Sequence, residues 1–343
     1  MAILVTGGAG YIGSHTVIEL VKQGYNAIVA ADNFANSKME AITRTRKICG
    51  VNFPFYEADL RDMDAMDAIF KKHDIDAVIH FAGLKAVGES VAMPLAYYGN
   101  NLQSTIALCE VMKTNNVDKF IFSSSATVYS SDNEMPLTEE SKTGNCTNPY
   151  GWTKYMCEQI LTDTAKAHNW SVALLRYFNP IGAHESGDIG EDPVGIPNNI
   201  MPLISQTAVG KIDCLNVTGN DYPTPDGTGI RDYIHITDLA RGHVAAIKYL
   251  QSNKGSHVFN LGTGKGTSVI ELINAFESAT GVNVNHKFVE RRPGDVATVY
   301  SSPTKAAHQL NWHAEKTLAE ACADSWRWQS KNPKGYDITP KIP

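Results

Sequence analysis

The chain has 343 residues, of which 43% are hydrophobic and 19% are charged, values typical of a soluble globular protein with one large domain or two. Its net charge of −6 argues against a nucleic-acid-binding surface, and no apolar stretch approaches the length of a membrane span. The six cysteines are scattered without a CxxC or Cys/His cluster, and the N-terminus lacks a signal peptide. We therefore expect reduced thiols, no metal site and a cytoplasmic protein.

The first predicted strand, residues 3–5, runs into three glycines and then into an amphipathic helix over 15–22. The glycines are Gly7, Gly10 and Gly13. This order is typical of a phosphate-binding turn, because glycines permit a tight turn and let a pyrophosphate reach the N–H groups at the positive end of a helix.

A second parallel strand, residues 27–31, ends at Asp32, which lies 19 residues after Gly13. Near this spacing an acidic side chain accepts hydrogen bonds from the adenosine ribose hydroxyls. A carboxylate there would repel a 2′-phosphate. The sequence therefore predicts NAD rather than NADP, the alternative being that Asp32 merely begins a loop.

The following strands are predicted to end at the same cleft. Strand 52–57 leads to Asp59, which we expect near the adenine or as the N-cap of a helix over 61–72. Strand 77–81 ends in a small-residue turn over 81–83, with Lys85 within reach of the cofactor. His80 inside this strand favours a buried, hydrogen-bonded core histidine. Asn100, in a helix over 94–115, can hold neighbouring backbone or the cofactor.

A serine-rich strand end precedes a tyrosine–lysine pair. Strand 119–122 runs into the serines at 123–125, and Tyr150 and Lys154 lie one turn apart on a helix over 150–168. An ammonium there is expected to lower the pKa of the phenol, so that the tyrosine serves as a base or acid nearer neutral pH. Together with the glycine turn, the pair predicts a redox site.

The rest of the chain divides into a return to the sheet and a substrate-binding part. A sixth strand covers 172–178, and beyond residue 179 the composition shifts to Gly, Pro, Asn and Asp. The segment 258–261 is expected to return to the large sheet, followed by helices over 268–280 and 318–329 and a strand over 282–289. The prediction is an α/β protein with a Rossmann-type doubly wound parallel sheet over 1–178, a return segment near 234–262, and a smaller C-terminal substrate-binding α/β part over 179–343.

Six longer motifs are spread along the chain. They are Gly7-Gly-Ala-Gly-Tyr-Ile-Gly-Ser-His15, Phe81-Ala-Gly-Leu-Lys-Ala-Val-Gly-Glu-Ser90, Tyr177-Phe-Asn-Pro-Ile-Gly-Ala-His184, Ile196-Pro-Asn-Asn199, Gly219-Asn-Asp-Tyr-Pro-Thr224 and Asp226-Gly-Thr-Gly-Ile-Arg-Asp-Tyr-Ile-His235. Over essentially the whole chain they resemble the UDP-glucose (UDP-galactose) 4-epimerase family of the extended short-chain dehydrogenase/reductases. The resemblance implies reversible C4 inversion of UDP-galactose and UDP-glucose through a 4-keto intermediate, with a tightly held NAD and a homodimer formed by the helices near 94–115 and 150–168.

The resemblance also implies roles for individual residues. Tyr150 takes the proton of the sugar 4-hydroxyl, Lys154 holds the ribose, and Ser125 hydrogen-bonds to the reacting oxygen. The predicted cofactor-binding residues are Gly7, Gly10, Tyr11, Ile12, Gly13, Asp32, Asn33, Asp59, Leu60, Phe81, Ala82, Gly83, Lys85, Asn100, Ser123, Tyr150, Lys154 and Phe178. The predicted substrate-binding residues are Ser125, Tyr150, Asn179, Asn199, Arg231, Tyr233, Arg292, Asp295 and Val299.

One position bears on sugar specificity, and three other functions compete with epimerisation. Val299 stands where stricter glucose/galactose enzymes carry a tyrosine, which leaves room for the 2-acetamido group of UDP-GlcNAc and UDP-GalNAc; an alignment shifted by one residue would place Tyr300 there instead. A 4,6-dehydratase would need an Asp-Glu pair where this chain has Ala126-Thr127. A uronate-sugar epimerase or decarboxylase stays open. A non-catalytic NAD-binding protein is disfavoured by the intact Tyr150 and Lys154.

Overall fold

The computed structural model describes residues 1–195, 197–292 and 294–337; Ile196, which begins one of the motifs above, lies outside the described residues. The strands are β1 (Ala2–Thr6), β2 (Ile28–Asp32), β3 (Phe55–Glu57), β4 (Ile75–His80), β5 (Lys119–Ser125), β6 (Ser171–Tyr177), β7 (Asn179–Ile181), β8 (Leu215–Thr218), β9 (Ile230–Arg231), β10 (Tyr233–His235), β11 (Gly255–Leu261), β12 (Thr267–Ser268), β13 (His286–Val289) and β14 (Thr298–Val299). The helices are α1 (Tyr11–Lys22), α2 (Met39–Cys49), α3 (Met63–His73), α4 (Val87–Ala92), α5 (Pro94–Thr114), α6 (Pro149–His168), α7 (Ile200–Ala208), α8 (Ile236–Tyr249), α9 (Val269–Thr280), α10 (Thr304–Leu310) and α11 (Leu318–Lys331).

The large sheet is parallel throughout, and its strand order is β11-β6-β5-β4-β1-β2-β3. The order reverses direction between β1 and β4. In such sheets a ligand binds in the crevice outside the carboxyl ends of the strands at this reversal. The predicted doubly wound α/β fold is thereby confirmed. The loops after β1 and β4 are where this sheet is expected to bind a ligand.

The sheet is buried on both faces, which explains why its strands read as continuous apolar runs. Along β1, Ile3 and Val5 pack on one face and Leu4 on the other, because successive side chains of a strand point to opposite sides. The first face is covered by α1 and α8, and the second by α3, α5 and α6. The helix that bears the tyrosine–lysine pair therefore lies against the strand that ends in the serines.

The C-terminal part has its own core, to which α7, α9 and α11 contribute, with Ile204, Val217 and Phe276 among its buried members. Capping boxes begin two of these helices, one at Ser268 before α9 and one before α11. Although it comes late in the sequence, β11 pairs in parallel with β6 at the edge of the large sheet. No helix within the described residues is both long and apolar enough to cross a membrane.

Three predicted boundaries were wrong. The first helix begins at Tyr11 rather than at residue 15, because the glycine turn itself forms its N-terminus. Asp62, not Asp59, caps α3 by accepting a hydrogen bond from the Ala65 amide. The predicted strand over 282–289 is shorter, since β13 begins at His286 and pairs with β8 away from the large sheet.

Candidate active site

The glycine turn leaves no room for side chains. Gly7 has a φ of 70°, in the left-handed region that favours glycine. A Cβ on Gly13 would lie 2.2 Å from the Gly7 carbonyl oxygen, so the turn and the helix are in direct backbone contact. Gly10, the N-cap of α1, offers no side-chain cap to the first N–H groups of the helix. These donors and the positive end of α1 suit a pyrophosphate.

Asp32 lies at the end of β2, next to this turn, and its carboxylate is firmly held. It accepts hydrogen bonds from the Ala9 amide at 3.1 Å, the Phe34 amide at 3.0 Å and the Ser37 hydroxyl at 2.8 Å. The Ala9 contact joins the predicted ribose acceptor to the glycine turn. Sequence reasoning missed Ser37, whose position in a polar loop carries no distinctive pattern.

A cleft of about 330 Å³ opens where β1 to β6 end, within the size range of small-molecule sites. Every predicted cofactor-binding residue lines it, from the glycine turn and Asp32 to Lys154 and Phe178. The cleft combines a backbone phosphate cradle, a carboxylate for ribose hydroxyls and a tyrosine–lysine pair. These residues fit NAD.

Asp59 is also at the cleft, where its carboxylate is paired. The Arg61 guanidinium donates to Asp59 Oδ1 at 2.9 Å and to Oδ2 at 2.5 Å. This hydrogen bonding lowers the pKa of Asp59 to about 2, so the carboxylate stays charged at neutral pH. Leu60, its neighbour, closes the same end of the cleft.

Ser125, Tyr150 and Lys154 meet at the opposite end. Helix α6 begins with Asn148 as N-cap, whose side chain accepts from the Gly151 amide at 2.9 Å, and this fixes the position of Tyr150 in the first turn. The Lys154 ammonium donates to the Ser123 carbonyl at 2.6 Å and lies 5.9 Å from the centre of the Tyr150 ring. The pair and the serine strand end are therefore joined directly.

The pKa values of this pair differ from the expectation. Burial raises the pKa of Tyr150 to about 12, against a smaller lowering by Ser125. Burial likewise lowers the pKa of Lys154 to about 8. The predicted lowering of the phenol pKa by Lys154 was therefore wrong. Removal of the phenol from water raises its pKa by more than its polar contacts lower it.

Three further threonines contribute hydrogen bonds in this region. Thr127, missed by sequence reasoning, donates from its hydroxyl and its amide to Ser125 Oγ at 3.0 and 3.2 Å, and so orients the serine. His80 bonds to the hydroxyls of Thr6 at 2.8 Å and Thr105 at 3.3 Å, and burial lowers its pKa to about 3. The prediction of a buried, hydrogen-bonded core histidine is confirmed.

A loop of the C-terminal part crosses the cleft. Glu191 Oε1 accepts from Lys85 Nζ at 3.0 Å and from Asn199 Nδ2 at 2.7 Å, and it thus links a predicted cofactor residue to a predicted substrate residue. On the other side, Lys38 Nζ donates to Asp192 at 3.0 Å. Sequence reasoning missed all of Glu191, Asp192 and Lys38, because only the tertiary fold brings their loops together.

The remaining substrate residues are divided. Asn179 and Asn199 line the cleft. Five others do not contribute to its described wall: Arg231, Tyr233, Arg292, Asp295 and Val299.

Those five residues contact other residues of the chain. Arg292 is largely exposed and donates to Asp295 at 3.1 Å, and Arg231 lies 3.9 Å from the same carboxylate. Tyr233 is buried in the C-terminal core. Val299 packs against a cluster that includes Phe178, which does line the cleft.

Among the described residues, no group of three or more His, Cys, Asp or Glu side chains is placed to hold a metal ion. The six cysteines are free thiols.

Comparison with known proteins connects this cleft to a group of enzymes. The family model described as GDP-mannose 4,6 dehydratase matches residues 4–325. The UDP-glucose 4-epimerase of Bacillus subtilis (strain 168) is 59% identical over 337 residues, covering 98% of this chain and 99% of the relative. The crystal structure of UDP-glucose 4-epimerase from Bifidobacterium longum in complex with NAD+ and UDP is 52% identical, with a TM-score of 0.95 and coverage of 98% of this chain and 100% of that one. The Stenotrophomonas maltophila UDP-glucose-4-epimerase, with bound NAD and formylated UDP-arabinopyranose, is 46% identical, with a TM-score of 0.94 and coverage of 97% and 99%.

Proposed function

The chain belongs to the UDP-glucose 4-epimerase family, within the extended short-chain dehydrogenase/reductases, and on that premise we propose that it interconverts UDP-galactose and UDP-glucose by inverting C4. The observation that carries the proposal is the convergence of Ser125, Tyr150 and Lys154 on a cleft that also holds the glycine turn and Asp32. Residues 1–178, with the return segment near 234–262, form the cofactor half. The remainder of 179–343 mainly forms the nucleotide-sugar half.

The residues of the cleft supply the groups that the chemistry at C4 requires. NAD, when bound, accepts the hydrogen of C4 as hydride and returns it. Tyr150 takes the proton of the 4-hydroxyl, Ser125 hydrogen-bonds to the same oxygen, and Lys154 supplies positive charge beside the phenol. Return of the hydrogen to the opposite face of the 4-ketosugar inverts C4 with no net redox change. The Glu191 loop across the cleft supports retention of the cofactor through the cycle.

The diphosphate is assigned to residues of the C-terminal half. Arg231 and Arg292 share Asp295, and the planar guanidinium fork of arginine matches phosphate oxygens. Asn179 and Asn199, at the cleft wall, supply amide donors. Binding in this way requires Arg292 to exchange its contact with Asp295 for one with the substrate.

Sugar specificity is assigned to Val299, and the packing of the two side chains supports Val299 over Tyr300. Val299 packs toward Phe178 at the cleft, whereas the Tyr300 ring lies over Gly266, where a Cβ would be 3.4 Å from Tyr300 Cδ1. The two side chains therefore have different neighbours. We expect turnover of UDP-GlcNAc, abolished in Val299→Tyr; an enzyme that epimerises UDP-galactose but not UDP-GlcNAc would contradict this.

A homodimer is proposed through α5 and α6. Leu95, 84% exposed, shares one face of α5 with the exposed Ile106, and Met156 is exposed on the neighbouring α6. Light scattering should give twice the monomer mass, and Leu95→Lys with Ile106→Lys should give the monomer. A wild-type monomer would contradict the proposal.

We further propose a cytoplasmic location, which the free thiols favour.

The dehydratase alternative is not favoured by the site, even though the matching family model bears that name. Ala126 and Thr127 follow Ser125 in a short 3₁₀ turn, and neither side chain is an acid that could eliminate water. Thr127 instead holds the serine hydroxyl.

A coupled assay of UDP-galactose conversion to UDP-glucose without added NAD tests the proposal. We expect turnover by the protein as purified, and a loss of about 100-fold or more in Tyr150→Phe. Dependence on added NAD with accumulation of NADH would indicate a true dehydrogenase. A small effect of Tyr150→Phe would remove the tyrosine from its proposed role.

A further inference from the structure

A buried ion pair lies beside the catalytic strand end and takes no part in the chemistry described above. Arg176 on β6 donates from Nε and Nη2 to the two carboxylate oxygens of Glu158 on α6, at 2.9 and 2.7 Å. The side chains are only 6% and 7% exposed. Ser124 Oγ donates to the same carboxylate at 2.5 Å. Three elements, β5, β6 and α6, are thus joined at one carboxylate.

The joined residues are the immediate neighbours of the proposed catalytic groups. Ser124 precedes Ser125, and Glu158 lies one helical turn after Lys154 and two turns after Tyr150. The Lys154 ammonium holds the Ser123 carbonyl on the other side of Ser124. Glu158 and Lys154, both on α6, therefore hydrogen-bond to adjacent residues of β5.

Stability alone does not explain the pair, because replacing a buried ion pair with well-packed apolar residues is often neutral or stabilising. We propose that Glu158 is a positioning residue for the epimerase reaction. By holding the end of β5 against α6, it fixes the positions of Ser125 and Lys154 with respect to Tyr150. The inference rests on the function proposed above.

The charge of Glu158 acts on Lys154 as well. The titratable and charged groups around Lys154 are Tyr150, Cys157 and Glu158 on its own helix and His80 on β4. On β6, Arg176 is paired with Glu158, and burial raises the pKa of Tyr177, which stays neutral. Burial raises the pKa of Tyr150 and of Cys157 and lowers that of His80, so these three are neutral near pH 7. Glu158 is then the negative charge of this set, and it favours the ammonium form of Lys154 against the effect of burial; the Arg176 guanidinium bound to Glu158 offsets part of this effect.

Glu158→Gln tests the inference because it removes the charge and keeps the shape. We expect kcat to fall by about 10-fold or more, with KM changed less than about threefold, since a shift of the reacting groups affects the chemical step. The basic limb of the kcat–pH profile should move to lower pH, because Lys154 loses its proton more easily when Glu158 is no longer charged. A kcat and a pH profile equal to those of the wild type would overturn the inference.

A second variant covers the case in which Glu158→Gln, with Arg176 left unpaired, does not fold. The double variant Glu158→Met, Arg176→Leu fills the space without charge, and its melting temperature and NAD content should stay near those of the wild type. Its kcat should fall by about 10-fold or more; a wild-type kcat would overturn the inference.

Glu110→Gln, which removes one charge from an exposed pair with Lys113, is the matched control. If the wild type itself does not epimerise UDP-galactose, the proposed function fails; if it does and both variants match it, only this inference fails.

Discussion

Gly13→Ala should expel the cofactor from a protein that still folds. The new Cβ would lie 2.2 Å from the Gly7 carbonyl oxygen, 2.9 Å from Gly8 Cα and 3.0 Å from the Gly7 carbonyl carbon. Ordinary contacts of a Cβ begin at 3.4 Å, and all three neighbours are backbone atoms of the turn itself. The turn and α1 must therefore separate by about 1 Å, at a cost of about 1–3 kcal/mol in packing.

The same displacement moves the N–H groups that would bind the pyrophosphate. A shift of about 1 Å breaks good hydrogen-bond geometry, and each charge-assisted bond lost weakens binding by about 1.5–3 kcal/mol, or roughly 10- to 100-fold in affinity. NAD released by heating the purified variant, measured by chromatography, should be a small fraction of that from the wild type.

Gly88→Ala is the matched control for the same chemical change. Gly88 also lies in a helix, α4, but nothing is within 4 Å of where its Cβ would stand. This variant should keep its full NAD content. If Gly13→Ala also retains full NAD, then the tight backbone contact at the turn does not govern cofactor binding, and the reasoning is refuted.

Three further predictions concern acid stability, the ribose acceptor and the serine. Burial lowers the pKa of His15, His80 and His243 to about 3. Because the unfolded chain then binds more protons below about pH 6.5, the free energy of unfolding should fall as the pH drops, by up to about 1.4 kcal/mol per pH unit for each histidine; urea midpoints unchanged between pH 7 and pH 5 would contradict this. Asp32→Ala should weaken NAD binding by about 10-fold or more through loss of its carboxylate acceptor, as measured by titration of the cofactor-free protein, and unaltered affinity would count against the assignment. Ser125→Ala should lower kcat by about 10- to 100-fold with a small change in KM, and an unchanged kcat would exclude it from the reaction.

Local patterns were enough to predict the cofactor half of the site. The glycine turn, Asp32 and the Tyr150–Lys154 pair each depend on spacing along a few residues, which a strand, a turn or one helical turn converts directly into geometry. The strands of the large sheet are continuous apolar runs, which agrees with their burial on both faces.

Features that depend on distant loops could not be predicted. Glu191 lies 106 residues from its partner Lys85, and Ser124 lies 34 residues from Glu158. Neither contact has a local signature. The predicted direction of the Tyr150 pKa shift was wrong for the same reason: the Lys154 neighbour is visible in the sequence, whereas the burial that raises the phenol pKa is a property of the packed site.

The fate of the hydrogen on C4 tests the central claim most directly. In the proposed reaction, the proton on the 4-hydroxyl passes to Tyr150 and can exchange with water, whereas the C4 hydrogen leaves and returns inside the cleft. UDP-galactose deuterated at C4 should therefore give UDP-glucose that retains deuterium at C4, in ordinary water and without added NAD, as read by mass spectrometry and NMR. Replacement of that deuterium by solvent hydrogen during turnover would contradict the account.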